Sequence, residues 1–230
     1  MRVSIHQPEF MPWAGFFNKI AVVDRMVIFD HVQFKKNYFE NRCRIKINGQ
    51  PAWLTVPVLM TGRFQQKICE VEIDNTKPWG EKTWKTLHQT YRRAPHWAEV
   101  ADFLEQTFAL REWRLLVDLN LHLISWLCGY LDLGAELVLS STLGTTSSGS
   151  ELVLDTCRLA EASAYVSGRH GKDYLDETGF AAAGIELIYQ DYKMPPYRQF
   201  DGDFVGPLSV LDLIVNTGRD ARHHVLGEAL

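Results

Sequence analysis

The chain lacks the features that mark metal-binding and disulfide-rich proteins. Its 230 residues include only four cysteines, with no CxxC pair. The eight histidines show neither an HxxxH nor an HxH spacing. We therefore predict no metal site and no disulfide framework, and we expect reduced thiols of the kind found in the cytoplasm.

Neither sign of charge dominates, and no apolar run is long. The 24 basic and 28 acidic residues leave a net charge of -4, so the basic surface of a nucleic-acid-binding protein is not expected. The longest apolar region, residues 113–133, is broken by Arg114 and Asp118 and predicts a core helix. The apolar run after Arg2 is too short for a signal peptide. We expect a cytoplasmic protein with no membrane insertion.

Strand and helix patterns alternate along the chain. Strands are predicted at residues 2–6, 25–30, 69–74, 135–141, 164–168 and 185–192, and helices at 13–22, 79–93, 96–109, 112–131, 150–162 and 208–218. A β-hairpin is predicted about Asn48-Gly49. The fold class is α/β, with a mainly parallel Rossmann-like sheet, a β-hairpin excursion and a helical insertion. We expect a single domain over residues 1–230, with residues 76–133 as a helical subdomain or insertion.

The stretch "VSIHQPEFMPWAGFFNKI" places polar residues where the first strand ends. Ligands bind at the carboxyl ends of parallel strands, and an imidazole near neutral pH can take a proton from an attacking amine. His6 is therefore the predicted catalytic base. Gln7 can orient a carbonyl or a sugar hydroxyl, and Trp13 is a predicted stacking wall for a small polar ligand.

Three further segments supply predicted site residues. Asp30, at the end of the second strand, is expected to lie near His6 and to fix its tautomer. The other predicted substrate-binding residues are Gln33, Lys35, Asn41, Arg42, Ser167, Gly168, Tyr174, Tyr197, Gln199 and Asp212. Lys36 and Glu40 are expected to be solvated, Ser209 to cap the final helix, and His223-His224 to lie in a surface tail.

The segments "IHQPEFMPWAGFFNKI", "VIFDHVQFKKNYFENR", "WLTVPV", "YVSGRHGKDYLD", "PPYRQF" and "LSVLDLIVNTG" together resemble the WbqC-like protein family. The resemblance runs from near the first residue to about Gly218. Genes of this family often lie beside those for bacterial surface polysaccharides and modified amino sugars. The resemblance implies transfer of an acyl or aminoacyl group to the amine of a small molecule such as a nucleotide-linked amino sugar. A thioester would be the activated donor, with an acyl carrier protein as a partner.

Two other functions stay open. One is an ATP-dependent amide ligase or nucleotidyltransferase on a nucleotide-binding α/β core, with ATP as its cofactor. Against it, Gly15 is not followed by the histidine of an HxGH loop, and the GxxxxGK[ST] and GxGxxG patterns are missing. The other is a non-catalytic protein that binds a ligand or a carrier for a neighbouring enzyme.

Overall fold

The computed structural model describes residues 1–63, 65–145 and 147–228. Its strands are β1 (Arg2–His6), β2 (Arg25–Ile28), β3 (Arg42–Ile47), β4 (Gln50–Thr55), β5 (Glu136–Leu139), β6 (Ala164–Ser167) and β7 (Glu186–Tyr189). Its α-helices are α1 (Ala14–Ala21), α2 (Trp79–Tyr91), α3 (Ala98–Phe108), α4 (Leu116–Tyr130), α5 (Gly149–Leu159), α6 (Glu177–Ala182), α7 (Val210–Thr217) and α8 (Ala221–Leu226).

Five parallel strands form the central sheet in the order β5-β2-β1-β6-β7. The predicted mixed α/β class is therefore confirmed. From β1 the chain builds outward through β2 to β5, then crosses back to place β6 and β7 on the other side of β1. The carboxyl ends of β1 and β6 thus flank the switch point of the sheet, which is where sheets of this kind bind ligands.

Helices cover both faces of this sheet. Because side chains alternate along a strand, Val3, Ile5 and Val27 face one buried cluster, which also contains residues of α5 and α6. Met26 and Ile28 face a second, larger cluster built with α1, α4, α7 and α8. Burial on both faces explains the apolar residues Val3 and Ile5 of β1 and Met26, Val27 and Ile28 of β2.

The β-hairpin forms where the turn residues predict it. Asn48 and Gly49 have φ angles of 50° and 75°, the left-handed pair that a two-residue hairpin turn requires. The strand predicted over residues 69–74 is wrong. Ile68–Glu70 instead forms a short 3-10 turn, because the Glu70 carboxylate accepts a hydrogen bond from the backbone of Lys67 at 2.9 Å.

Helices α2, α3 and α4 follow the predicted ranges to within a few residues. Leu87, Leu104 and Leu123 of these helices lie in the same buried cluster as Phe16 of α1 and Met26 of β2. The insertion therefore packs on the sheet layer. No helix in the described ranges is both long and apolar enough to cross a membrane.

The end of the chain differs from its predicted form. Ser209 caps α7, as predicted, by accepting a hydrogen bond from the Leu211 amide, and Gly218 follows the helix with a φ of 59°. The predicted surface tail at His223-His224 is instead helix α8. His224 is buried there because α8 packs on α1, and its carbonyl accepts a hydrogen bond from the Tyr192 hydroxyl.

Candidate functional site

A cavity of about 370 Å³ lies at the switch point of the sheet. We call it the switch-point cavity; its lining consists of His6, Trp13, Gly15, Phe16, Lys19, Gly168, Arg169, His170, Gln190 and Tyr192. The volume is in the range of small-molecule sites. A more open groove of about 460 Å³ adjoins it and shares Gln190 and Tyr192, but His6 is not part of that groove.

His6 presents one ring nitrogen as a proton acceptor. Its Nδ1 lies 2.9 Å from the backbone carbonyl of Gln7, and since a carbonyl only accepts, Nδ1 carries the proton. Nε2 is then the acceptor, and it lies 3.8 Å from Oε1 of Glu9. Burial, with a smaller contribution from Lys19, holds the pKa of His6 well below its usual range. The imidazole is therefore neutral at pH 7, and the lone pair of Nε2 is unprotonated.

Two buried ionisable residues, Glu9 and Lys19, adjoin His6. Neither was predicted as a site residue from the sequence. Burial raises the pKa of Glu9 to about 8, an effect that Lys19 opposes and Glu40 reinforces. Burial also lowers the pKa of Lys19 to about 8, which Glu9 opposes. Within the described part of the chain, the Lys19 ammonium has no hydrogen-bond or ion-pair partner. Beside the neutral His6 imidazole, the site therefore contains two groups, Glu9 and Lys19, that can exchange protons near neutral pH.

The sequence does contain a signal for these residues. Lys19 occupies the strongly apolar run "AGFFNKIA" of α1, in which every residue from Ala14 to Ile20 is buried. Glu9 stands between Pro8 and Phe10 at a strand end. A charged residue inside an apolar segment is seldom buried without a partner or a function.

The loop after β1 is held in place by a residue far along the chain. The Asn120 side chain of α4 donates to the carbonyl of Pro8 at 2.9 Å and to that of Glu40 at 2.8 Å. Met11 has a φ of 45°, a left-handed conformation that is uncommon for residues other than glycine. Such strain persists where surrounding contacts enforce it, and it is frequent at functional sites.

Glu40 is buried, so the prediction that it is solvated is wrong. Neither carboxyl oxygen has a hydrogen-bond partner among the residues that the structure describes. Burial raises the pKa of Glu40 to about 7, against a smaller opposing effect of Lys35. Because Asn120 ties the loop of Glu9 to the segment of Glu40, these two buried carboxyls belong to one region.

Asp30 is buried at the end of β2 and faces β5. Its carboxylate accepts hydrogen bonds from both the amide and the hydroxyl of Ser141, at 2.8 and 2.6 Å, and from the Ser140 hydroxyl at 2.9 Å. In the described ranges no hydrogen bond or ion pair joins Asp30 to His6. The predicted orienting role is taken instead by the Gln7 carbonyl.

The polar loop after Asp30 does not line the switch-point cavity. Gln33 is exposed and forms an isolated bridge with Lys67, and Lys35 is exposed near the ring of Tyr38. Asn41 is buried and donates to the Val56 carbonyl at 3.0 Å. The guanidinium of Arg42 lies 3.9 Å from the ring of Trp53, the geometry of a cation–π contact.

The residues predicted after β6 divide between the cavity and its surroundings. Gly168 lines the cavity, and the buried Ser167 hydroxyl donates to the Gly168 carbonyl at 3.2 Å. Tyr174 is 58% exposed and is not part of the lining.

Tyr197, Gln199 and Asp212 form a separate buried network instead of meeting His6. The Asp212 carboxylate accepts hydrogen bonds from the Tyr197 hydroxyl at 2.7 Å, from the Gln199 amide at 2.9 Å and from the Tyr91 hydroxyl at 3.0 Å. Of the predicted site residues, the structure thus brings His6, Trp13 and Gly168 to one cavity, with Gln7 supporting His6.

Comparison with known proteins decides the family. The sequence profile of the WbqC-like protein family matches residues 7–224. The chain belongs to the WbqC-like protein family. It is also 37% identical over 221 residues to the uncharacterized protein Rv1507c of Mycobacterium tuberculosis, an alignment that covers 96% of this chain and 95% of that protein. No solved structure matches the chain.

Proposed function

We propose that this WbqC-like protein is a cytoplasmic transferase that moves an acyl or aminoacyl group from an activated donor to the amine of an amino sugar or related small molecule. The observation that carries the proposal is the neutral His6 imidazole, which lines the switch-point cavity and whose Nε2 is the acceptor nitrogen. Family membership is consistent with a role as a biosynthetic enzyme.

The chemistry requires a base beside the acceptor amine. The amine nitrogen attacks the donor carbonyl, so that a new C–N bond forms and the bond to the leaving group, such as the sulfur of a thioester, breaks. His6 Nε2 takes the proton that the amine loses and returns it to the departing thiolate. Gln7 fixes the tautomer, and Asp30 acts as a positioning residue that holds the ends of β2 and β5 together.

The cavity lining favours an anionic acceptor. Lys19, Arg169 and His170 contribute basic groups, and no aspartate or glutamate belongs to its described lining. Trp13 and Tyr192 supply aromatic walls, which suit the apolar face of a sugar ring. A phosphate-bearing or nucleotide-linked amino sugar combines these properties. Its donor would be a thioester carried by coenzyme A or by an acyl carrier protein.

Replacing the proposed base tests the function directly. We expect His6→Ala to reduce turnover by about 100-fold or more, because general-base help contributes at least that much. The measurement is mass-spectrometric detection of the N-acylated product from a panel of nucleotide-linked amino sugars and acyl thioesters. His223→Ala, which removes an exposed histidine of α8, is the matched control and should keep full turnover. Equal turnover in the two variants would contradict the proposal.

An ATP-dependent ligase remains the second candidate, because the strand order and the basic cavity also suit a nucleotide. ATP consumption that depends on the amine would favour this alternative over transfer from a thioester. A ligand that stabilises the fold without any turnover would favour the non-catalytic binding protein.

A further inference from the structure

A second, smaller cavity also has Trp13 in its lining. Its volume is about 160 Å³, and we call it the apolar cavity; its lining consists of Glu9, Phe10, Met11, Pro12, Trp13, Phe39, Cys43, Arg44, Pro207, Leu208 and Ser209. Trp13 lines both cavities. Glu9 lines the apolar cavity, and its Oε1 is 3.8 Å from the Nε2 of His6, which lines the switch-point cavity. A molecule held in the apolar cavity can therefore place its polar end near His6.

The walls of the apolar cavity carry little charge at neutral pH. Phe10, Met11 and Leu208 are buried hydrophobic residues. Burial raises the pKa of the Cys43 thiol far above its usual range, so this sulfur is an uncharged wall and not a thiolate nucleophile. Because its pKa is raised to about 8, the Glu9 carboxyl is protonated in most molecules at pH 7. Arg44 is exposed, with its guanidinium 4.9 Å from the ring of Trp53.

We infer that the apolar cavity is the acyl subsite of the enzyme, which holds the hydrocarbon part of a short acyl group with its carbonyl end beside Glu9 and His6. This inference rests on the proposed function for the identity of the occupant. The size of the group follows from the volume, since a cavity of about 150 Å³ accommodates benzene. The subsite therefore accepts acyl groups of at most about six carbons.

Binding of simple amides tests the subsite without any turnover. The probes are the straight-chain amides from acetamide to octanamide, which carry a carbonyl but no leaving group. The readout is the ¹³C-methyl NMR signals of the five methionines, of which only Met11 belongs to the lining. We expect the Met11 signal to shift and the affinity to rise about fourfold per methylene up to hexanamide, then to level off.

Two outcomes would overturn the subsite. One is a Met11 signal that does not respond to any probe. The other is an affinity that is flat with chain length or still rising at octanamide, because an apolar cavity of this size both rewards and limits length.

A variant that enlarges the cavity provides a second test. Phe39→Ala removes a partly exposed ring from the lining and should extend the rise in affinity to octanamide. Tyr38→Ala is the matched control, because it removes the neighbouring exposed ring, which is not part of the lining, and should leave the length limit at six carbons.

Cys43→Leu fills the cavity and should weaken hexanamide binding by about tenfold while acetamide is unaffected. An unchanged length limit in Phe39→Ala contradicts the subsite even if Cys43→Leu fails to fold.

Failure of the subsite and failure of the proposed function give different results. If the amides do not bind as expected but transfer still depends on His6, the function stands and the subsite falls. If the amides bind with the expected length limit but no acyl transfer is found, the cavity still holds an apolar group and the transferase proposal falls.

Discussion

Trp13 is the residue on which both cavities depend, and Gly15 makes room for it. A β-carbon on Gly15 would overlap the Cη2 and Cζ2 atoms of the Trp13 ring. The indole also packs against Tyr192, with ring centroids 5.9 Å apart. The missing side chain at Gly15 therefore allows the position of Trp13, the residue that both cavities share.

Gly15→Ala should destabilise the protein by about 1 to 3 kcal/mol, because the added methyl group forces the partly buried ring of Trp13 to move. The measurement is urea unfolding followed by circular dichroism. The matched control is Gly129→Ala on α4, where a β-carbon meets no atom within 4 Å. That variant should gain up to about 1 kcal/mol from helix propensity. Equal effects of the two substitutions would show that Trp13 adapts without cost.

At the scale of elements, the segment between β7 and α7 is attached to strand β3 by a buried lysine. The Lys46 ammonium donates to the Gln199 side chain at 3.0 Å and to the carbonyls of Asp201 and Asp203 at 3.0 and 2.7 Å. It also forms an ion pair with the Asp201 carboxylate at 3.0 Å. Gln199 in turn donates to Asp212 of α7. Gln199 and Asp212, two of the predicted site residues, thus link strand β3 of the hairpin to the segment before α7 and to α7 itself.

Lys46→Met should lower the free energy of unfolding by about 3 to 5 kcal/mol, since it leaves buried acceptors and a carboxylate without their cation. Thermal and denaturant unfolding measure the loss, and limited proteolysis should cut residues 193–207 faster than in the wild type. Lys85→Met, on the exposed face of α2, removes a surface ion pair with Glu81 and should change stability by less than about 0.5 kcal/mol. A small effect at Lys46 would mean that the segment is held by packing alone.

For the whole molecule, the buried acids make stability depend on pH. The pKa of Glu40 is raised from 4.5 to about 7 and that of Glu9 to about 8, so the folded protein retains protons that the unfolded chain releases. The free energy of unfolding therefore falls as pH rises through this range. His6 acts in the opposite direction below pH 6.5, where its lowered pKa makes the unfolded chain bind more protons.

Glu40→Gln should remove part of this dependence. The variant and the wild type should be about equally stable near pH 5, and by pH 8 the variant should be more stable by about 1 to 3 kcal/mol, because glutamine has no proton to lose. Urea unfolding at half-unit steps of pH measures the difference. Glu105→Gln on the exposed face of α3 is the control and should follow the wild type. Parallel curves for Glu40→Gln and the wild type would show that the Glu40 pKa is not raised.

The sequence by itself determined most of the elements and their order along the chain, but not α6 or α8. Apolar runs bounded by polar residues mark β1, β2 and β6, and the helical spacing of Leu116, Leu123 and Leu127 marks α4, because each pattern depends on neighbours a few residues apart. Asn48-Gly49 indicates the hairpin for the same reason. The parallel order of β1 and β2 then places His6 at the ligand-binding edge. The expectation of a single domain over residues 1–230 stays a prediction.

Only the tertiary structure decided which polar residues meet. Asp30 turns toward Ser140 and Ser141 of the segment that follows β5, and Asp212 joins Tyr91 of α2. These partners lie more than 100 residues apart in sequence, so no local pattern indicates that they meet. Glu9, Lys19 and Glu40 gain their shifted pKa values from burial, and Asn120 of α4 holds together the two distant loops that carry Glu9 and Glu40. Local patterns report which elements form, whereas desolvation and proximity depend on how those elements pack.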